Sequence, residues 1–395
     1  MKRREFIVKG GIATTAIACN PIVSFANKSN AGDMINLGII GTGDRGTGLM
    51  PAINQIKGLR TVGCCDVIPF RLEEGKQMAG GNVTTYSDYR KLLDNKDIDA
   101  VLVTTPFSTH SQIAIDALDA GKHVFCEKTM AKGYDGISQM VSKVSQTDAI
   151  FQVGHQFHSS RLYQHIVGLI KQGKIGKITA FEFQWNRNGN WRRPVPDPKW
   201  EKAINWRMYR EFSGGLLAEL CSHQLDFANW VLEDVPESVV GVGGIDYWKD
   251  GRETFDNIHL IYSYPNGVKA KFTCLTSNAM GDYQVKILGD KGSIVMGQLK
   301  AWFYPEKGFE KEFGNVDGVS GATVNWNDNK GIPINIEHEE PSKQALMDFR
   351  DGILNNEQPL SGIKSGADTS VCVQMGLDAM YQGKMIKRKD GLTIH

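Results

Sequence analysis

The sequence predicts two domains: an α/β domain on a doubly wound parallel sheet, then an α+β domain with an open, largely antiparallel sheet. Three observations carry this. A short apolar run, Leu37-Gly-Ile-Ile40, enters a glycine-rich turn and a helical stretch, and a second apolar run ends on an acid at Asp66; strand, turn, helix and strand in that order begin a βαβ unit. Further apolar runs at 98–105 and 123–126 flank an amphipathic segment, continuing the alternation. After Ile178 the texture changes to successive strand-like runs. At 395 residues the chain exceeds the size at which one core stops growing, so two domains are expected.

Bulk properties exclude several classes. With a net charge of +1, no excess of basic residues favours nucleic acid or an anionic membrane surface, and no nucleic-acid partner is expected. The seven cysteines, including Cys64, Cys65, Cys126, Cys221, Cys274 and Cys372, show no C-x-x-C pair. They read as buried free thiols, and no metal is expected.

Residues 1–33 read as an export signal and tether. The basic start Met1-Lys-Arg3-Arg4-Glu-Phe-Ile precedes a weakly apolar stretch and resembles a twin-arginine signal, which carries proteins already folded around a cofactor. Ala16-Ile-Ala-Cys19 resembles a lipoprotein box, and cleavage after Ala26 is the rival. The expected location is therefore periplasmic, or lipid-anchored through Cys19 and facing the periplasm. A cytoplasmic protein with a basic tail is the remaining alternative.

Residues 34–155 read as a nucleotide-binding domain. Gly41-Thr-Gly43-Asp44-Arg45-Gly46 follows the first strand and opens a helix, and Asp66 lies 20 residues past Gly46. This is the Rossmann fingerprint: glycines allow a tight turn, a pyrophosphate sits on the helix N-terminus, and the acid accepts from a ribose 2′-OH. Asp66 favours NAD, although Arg45 and Arg71 could serve the 2′-phosphate of NADP. Helical stretches are expected at 70–78 and at 111–120, the latter stopping at Gly121, with a strand at 123–126 delivering Glu127-Lys128. Ligands bind outside the carboxyl ends of such strands, so Thr105-Pro106, His110 and Glu127-Lys128 should converge on one crevice. Phe151 to Gln156 reads as the last strand and the crossing into the second domain.

From the glycine turn, Asp66, Thr105-Pro106 with His110, Ala120-Gly-Lys-His-Val-Phe-Cys-Glu-Lys-Thr-Met130 and Lys171-Gln-Gly-Lys-Ile-Gly176, the chain resembles the Gfo/Idh/MocA oxidoreductases over residues 34 to 390. The family's Glu-Lys-Pro stands here as Glu127-Lys128-Thr129, keeping the lysine. The resemblance implies an NAD(H)-dependent oxidoreductase moving a hydride to or from a secondary alcohol of a sugar, polyol or glycoside. It implies a cofactor site of Gly41, Gly43, Asp44, Arg45, Gly46, Asp66, Thr105, Pro106, His110, Glu127, Lys128 and Gln156, with Lys128 beside the nicotinamide and the reacting carbon. It also implies a homo-oligomer, dimer or tetramer. The alternative is a glycosidase that uses tightly held NAD transiently, through oxidation, elimination, hydration and reduction; the relatives that do so lack the Glu-Lys element.

Residues 156–395 read as the substrate and oligomerisation domain. A helix is expected at 160–172, with strands at 178–185, 239–247, 257–264, 268–275, 283–288 and 293–296. Asn266-Gly267 is a hairpin signal. Helices at 343–354 and 367–382 return to the first domain by the resemblance. In Gly215–Trp230 a helix would set Glu219, His223 and Asp226 on one face. By the resemblance His223 is the general base with Glu219 beside it, and a histidine near its ordinary pKa can take a hydroxyl proton while a lysine cation steadies the negative charge. A structural histidine against a buried carboxylate is the other reading. Lys128, Arg161, Trp191, Arg207, Asp226 and His223 are expected on the substrate. Trp185, Trp191, Trp200 and Trp206, crowded among Asn186, Asn188, Asn190, Arg192, Arg193 and Arg207, suit either a sugar ring or loop packing.

Overall fold

A computed structural model of the chain describes residues 34–80, 82–309 and 331–389. The expected export signal and Cys19 lie outside these residues.

The first sheet comprises β1 (Ile35–Ile40), β2 (Leu59–Cys65), β3 (Thr84–Tyr86), β4 (Ala100–Val103), β5 (His123–Cys126) and β6 (Phe151–Val153), parallel in the order β3-β2-β1-β4-β5-β6. Every residue of β4 and β6 is buried, as continuous apolar runs require when helices cover both faces. Those helices are α1 (Asp44–Gln55), α2 (Pro69–Met78), α3 (Tyr89–Leu93), α4 (His110–Asp119) and α5 (Gly133–Val144). The strand order reverses between β1 and β4, the position at which such sheets bind ligands.

After α6 (Arg161–Lys171) comes the second sheet, made of β7 (Ile178–Trp185), β8 (Ser238–Gly244), β9 (Asn257–Ser263), β10 (Lys269–Leu275), β11 (Tyr283–Gly289), β12 (Gly292–Met296), β13 (Ala301–Pro305), β14 (Ile332–Ile334) and β15 (Ile386–Lys387). Its order is β14-β13-β12-β11-β7-β10-β9-β8-β15, and the pairing is antiparallel except between β7 and β10. Gly267, at φ 89, turns the β9–β10 hairpin where Asn-Gly predicts it. Strand β8 ends before the expected Tyr247 because the Asp256 carboxylate accepts from the backbone N–H groups of Asp246, Tyr247 and Trp248, bending the chain away. Between β7 and β8 lie α7 (Glu201–Ile204), a π-helical turn at Leu217–Cys221, and α8 (Ser222–Leu232).

The C-terminal helices, α9 (Pro341–Asn355) and α10 (Ile363–Gln382), bind the two domains. Helix α9 packs on α1 and contributes Ala345, Leu346 and Phe349 to the core around β1; the Phe349 and Phe125 rings meet edge to face at 5.7 Å. Helix α10 packs against α5 of the first domain and α8 and β8 of the second. All six cysteines among the described residues are buried and unpaired.

Candidate active site

The carboxyl ends of the first sheet's strands open on a cleft of about 1030 Å³, faced from the second domain by residues between Trp185 and His223. Its first wall grows from the glycine turn. Gly41 stands at φ +94, and a Cβ on Gly46 would overlap the Gly41 carbonyl, so α1 begins this close to β1 only because both positions lack a side chain. Gly43 caps α1 with no side-chain bond, which leaves first-turn N–H groups at the cleft rim beside Asp44 and Arg45. At the end of β2, Asp66 accepts from Thr42 N and Ile68 N, both at 2.8 Å, while its burial raises the carboxyl pKa. The missing Cβ atoms, the open helix end and the acid on β2 fit a nicotinamide dinucleotide.

The next strand ends supply the middle of the cleft. The His110 ring spans Thr105 O and Thr129 O at 2.9 Å each, tying the end of β4 to the end of β5. Arg45 Nε meets Glu127 Oε1 at 2.6 Å and its Nη1 donates to Ser342 at the start of α9. Burial alone would raise the Glu127 carboxyl, but the Arg45 guanidinium and the Lys128 ammonium hold it below the ordinary value. Gln156 lines the cleft with a buried Oε1 that has no hydrogen-bond partner among the described residues. Thr105 and Pro106 line it too.

Two consecutive residues then clamp the facing wall. Lys128 Nζ donates to the Glu219 carbonyl at 2.9 Å, and Thr129 Oγ1 donates to the Ala218 carbonyl at 3.0 Å, across a cis Lys128–Thr129 peptide. Both acceptors sit in the π turn, whose widened hydrogen bonding leaves carbonyls open to side chains. The Glu219 carboxylate accepts from Arg207 Nε at 2.9 Å. One turn on, His223 is buried among Phe157, His155 and Trp185, with ring centroids 5.3, 5.6 and 5.8 Å away. Its Nδ1 has no partner among the described residues. Burial first, and the Lys128 charge second, push its pKa well below 6.5, correcting the expectation of an ordinary histidine. Burial likewise lowers the Lys128 amine, opposed by Glu219 and Glu127.

Two expected substrate residues lie elsewhere. Asp226 is three residues and so ~4.5 Å further along the helix axis, which carries it past the cleft into the core. There its Oδ2 lies 2.8 Å from His158 Nε2, and Thr369 donates to its Oδ1 at 3.1 Å. Arg161 is outside the cleft and bonds Asp348 at 3.1 Å, tying α6 to α9. Conversely, His155 and His158 belong to the buried cluster behind His223 and were missed; the signal was His-Gln-Phe-His directly after a buried strand.

Trp185, Trp191, Trp200 and Trp206 all line the cleft, as do Arg187, Arg193 and Arg207. Asn186 and Arg192 do not: Asn186 holds Met280 O, and Arg192 bonds Glu201 and Asp250, bracing the loop. Arg193 reaches back across the cleft to Asp44 at 2.6 Å, so the loop meets the start of α1.

Residues 35–155 match the NAD-binding Rossmann-fold domain of the oxidoreductase family, and residues 163–295 match the GFO/IDH/MocA C-terminal domain. The chain belongs to the Gfo/Idh/MocA family. It is 30% identical over 264 residues to 2,7-anhydro-N-acetylneuraminate hydratase of Escherichia coli, covering 66% of this chain and 67% of that one. It is 25% identical over 271 residues to myo-inositol 2-dehydrogenase of Thermotoga maritima, covering 67% and 76%. Among solved structures, a levoglucosan dehydrogenase in complex with NADH shares the fold at a TM-score of 0.72 and 18% identity, covering 91% of this chain and 100% of that one. As a Gfo/Idh/MocA protein the chain is an oxidoreductase using a nicotinamide cofactor.

Proposed function

We propose that this Gfo/Idh/MocA protein oxidises or reduces a secondary alcohol of a sugar, polyol or glycoside, with His223 as proton acceptor and Lys128 steadying the oxygen. The observation that carries the reading is the placing of a half-buried lysine and a buried imidazole, whose pKa burial and then that lysine depress, on the cleft that the glycine turn and Asp66 enter from the other side. The bound nicotinamide supplies the hydride acceptor or donor. A neutral His223 ring can take the hydroxyl proton, and the Lys128 ammonium offsets negative charge on that oxygen. Glu219, held through Arg207, and the π-turn carbonyl bonded to Lys128 fix the lysine's direction. The dehydrogenase relative, which acts on myo-inositol by its name, supports a polyol or sugar substrate.

NAD is favoured over NADP, because Asp66 at the end of β2 accepts a ribose hydroxyl and repels a phosphate. The cofactor is held tightly, the protein is exported, and the second sheet's open face, with Val242 66% exposed, joins copies of the chain. The hydratase relative supports a second reading, in which water is added without net redox change; the alternative of a glycosidase using NAD transiently is disfavoured by the retention of Glu127-Lys128. Denaturing purified protein and identifying the released nucleotide and its redox state tests the assignment. NAD whose redox state changes on adding sugar is expected, and NADP or no nucleotide would refute it.

A further inference from the structure

Strand β7 sets every second residue toward the interior: Phe181, Phe183 and Trp185 are buried while their neighbours are less so. Just past the strand's end the alternation stops: Asn186 is buried and Arg187 is exposed. The Arg187 N–H donates to Leu275 O at 2.7 Å, and Asn188 pairs with Ser277 in an antiparallel bridge. Arg187 thus stands two residues beyond Trp185, and both line the cleft.

The guanidinium sits between two indoles, 5.5 Å from the Trp185 ring and 6.0 Å from that of Trp191. Trp191 reaches this position at φ 66, left-handed backbone that a bulky side chain adopts only when its surroundings impose it. They do so here: Arg252 donates to the Asn190 carbonyl and Arg192 to Asp250, so both neighbours of Trp191 are tied down. Strained backbone held in this way marks a position where ring placement matters.

Charge on this wall is unbalanced at one point. Arg193 has Asp44, Lys199 has Asp197, Lys202 has Glu211 and Arg207 has Glu219. Arg187 has no carboxylate partner among the described residues. Beside it, Trp185 is 5% exposed, and its Nε1–H has no acceptor among those residues. An indole N–H buried without an acceptor is costly unless a ligand supplies one. The Trp185 ring is also 5.8 Å from that of His223. A cation and a neutral donor therefore stand together, both unmatched, next to the proposed base. Sugar hydroxyls can satisfy the N–H. An exposed guanidinium beside two aromatic rings and without a carboxylate is best met by a planar or tetrahedral oxyanion, which takes its donors in pairs.

We propose that Arg187 and the Trp185 N–H form a subsite for an oxyanion substituent, so that the preferred substrates are acidic carbohydrates bearing a carboxylate or a sulfate ester. This rests on the oxidoreductase reading for turnover, but binding can be read without it.

The test uses the full-length protein with its nucleotide. Turnover and tryptophan quenching are measured with glucose, glucuronate and a sulfated glucose. Glucuronate or the sulfated sugar should exceed glucose in kcat/KM roughly ten- to hundredfold, the range of a charged hydrogen bond; which of the two wins separates carboxylate from sulfate. In Arg187→Ala the ratio of acidic to neutral sugar should collapse toward one, Arg187→Lys should restore part of it, and Trp185→Phe should lower it less. An equal preference in the unaltered protein, or a ratio untouched by Arg187→Ala, overturns the subsite. Acidic sugars that bind through Arg187 without hydride transfer would uphold the subsite and defeat the oxidoreductase reading. Acidic sugars that neither bind nor react overturn the subsite.

Discussion

At the scale of single residues, burial lowers the pKa of both His223 and Lys128, and the Lys128 charge pushes His223 further down. Replacing Lys128 by Met or His223 by Ala should lower hydride transfer by on the order of 10²–10⁴ while leaving nucleotide bound, since neither forms the glycine cradle. Wild-type turnover in His223→Ala would remove the base assignment. The pH profile carries the same signature. A base whose pKa lies well below 6.5 remains neutral, and active, as pH falls through 6.5; an amine lowered from 10.5 loses its proton earlier as pH rises. The kcat/KM bell should therefore sit to the acid side of one built from an ordinary histidine and lysine, and an acid limb at 6.5 or above would contradict the burial of His223. Gly41, Asp66, Lys128 and His223 were legible because each has a motif with a physical demand behind it. Asp226 and Arg161 were misread because sequence spacing gives the face of a helix and not how far along its axis the cleft extends.

The elements divide in the same way. Strands β5 and β7, and the end of β1, could be read to the residue, because their apolar runs end at glycine, an acid or a change in periodicity. Helix α5 went unread although Ile137, Met140 and Val144 follow helical spacing, because Gly133 and Gly136 dilute the pattern. Strands β14 and β15, of three and two residues, have no sequence pattern of their own and exist through pairing with β13 and β8. The π turn before α8 was equally hidden, since its carbonyls are held by Lys128 and Thr129 from another domain. Among elements, the junction of β1 and α1 gives the sharpest prediction. Gly46→Ala places a methyl against the Gly41 carbonyl, which must move with the turn that holds the dinucleotide. Far-ultraviolet dichroism should stay close to that of the parent, while NAD affinity falls at least tenfold, about 1.4 kcal/mol or more. Unchanged affinity in a calorimetric titration would show that the turn does not carry the cofactor.

Across the whole molecule, buried imidazoles couple folding to pH. Burial lowers His155 from 6.5 to about 4, and His110, His123 and His223 move in the same direction for the same reason. Above pH 6.5 these rings are neutral in both the folded and unfolded chain and contribute no pH dependence. Between 6.5 and 4 the unfolded chain takes up a proton at His155 that the folded one refuses, so stability falls with pH, by roughly 3 kcal/mol for this residue once pH reaches 4. The Asp226 carboxyl, held low by His158 and His155 against its own burial, begins to add to the loss below that. Denaturant midpoints should drop steeply from pH 7 to pH 4, and less steeply in His155→Gln, which cannot titrate; equal slopes would mean that His155 is protonated in the native state. The same architecture bears on where the protein works. The cleft is bridged by Arg193–Asp44, and α9 and α10 tie the two domains, an arrangement that fits slow release of a nucleotide enclosed during folding. That suits export in the folded state, because a periplasm offers sugars but no dependable nicotinamide pool, and a freely exchanging dehydrogenase there would stop after one turnover. Replacing Arg3 and Arg4 by Lys should hold the precursor in the cytoplasm, while the exported parent should carry about one nucleotide per chain through purification. Export unaffected by the lysines, or a periplasmic protein that carries no nucleotide and needs millimolar NAD, would return the enzyme to the freely exchanging type.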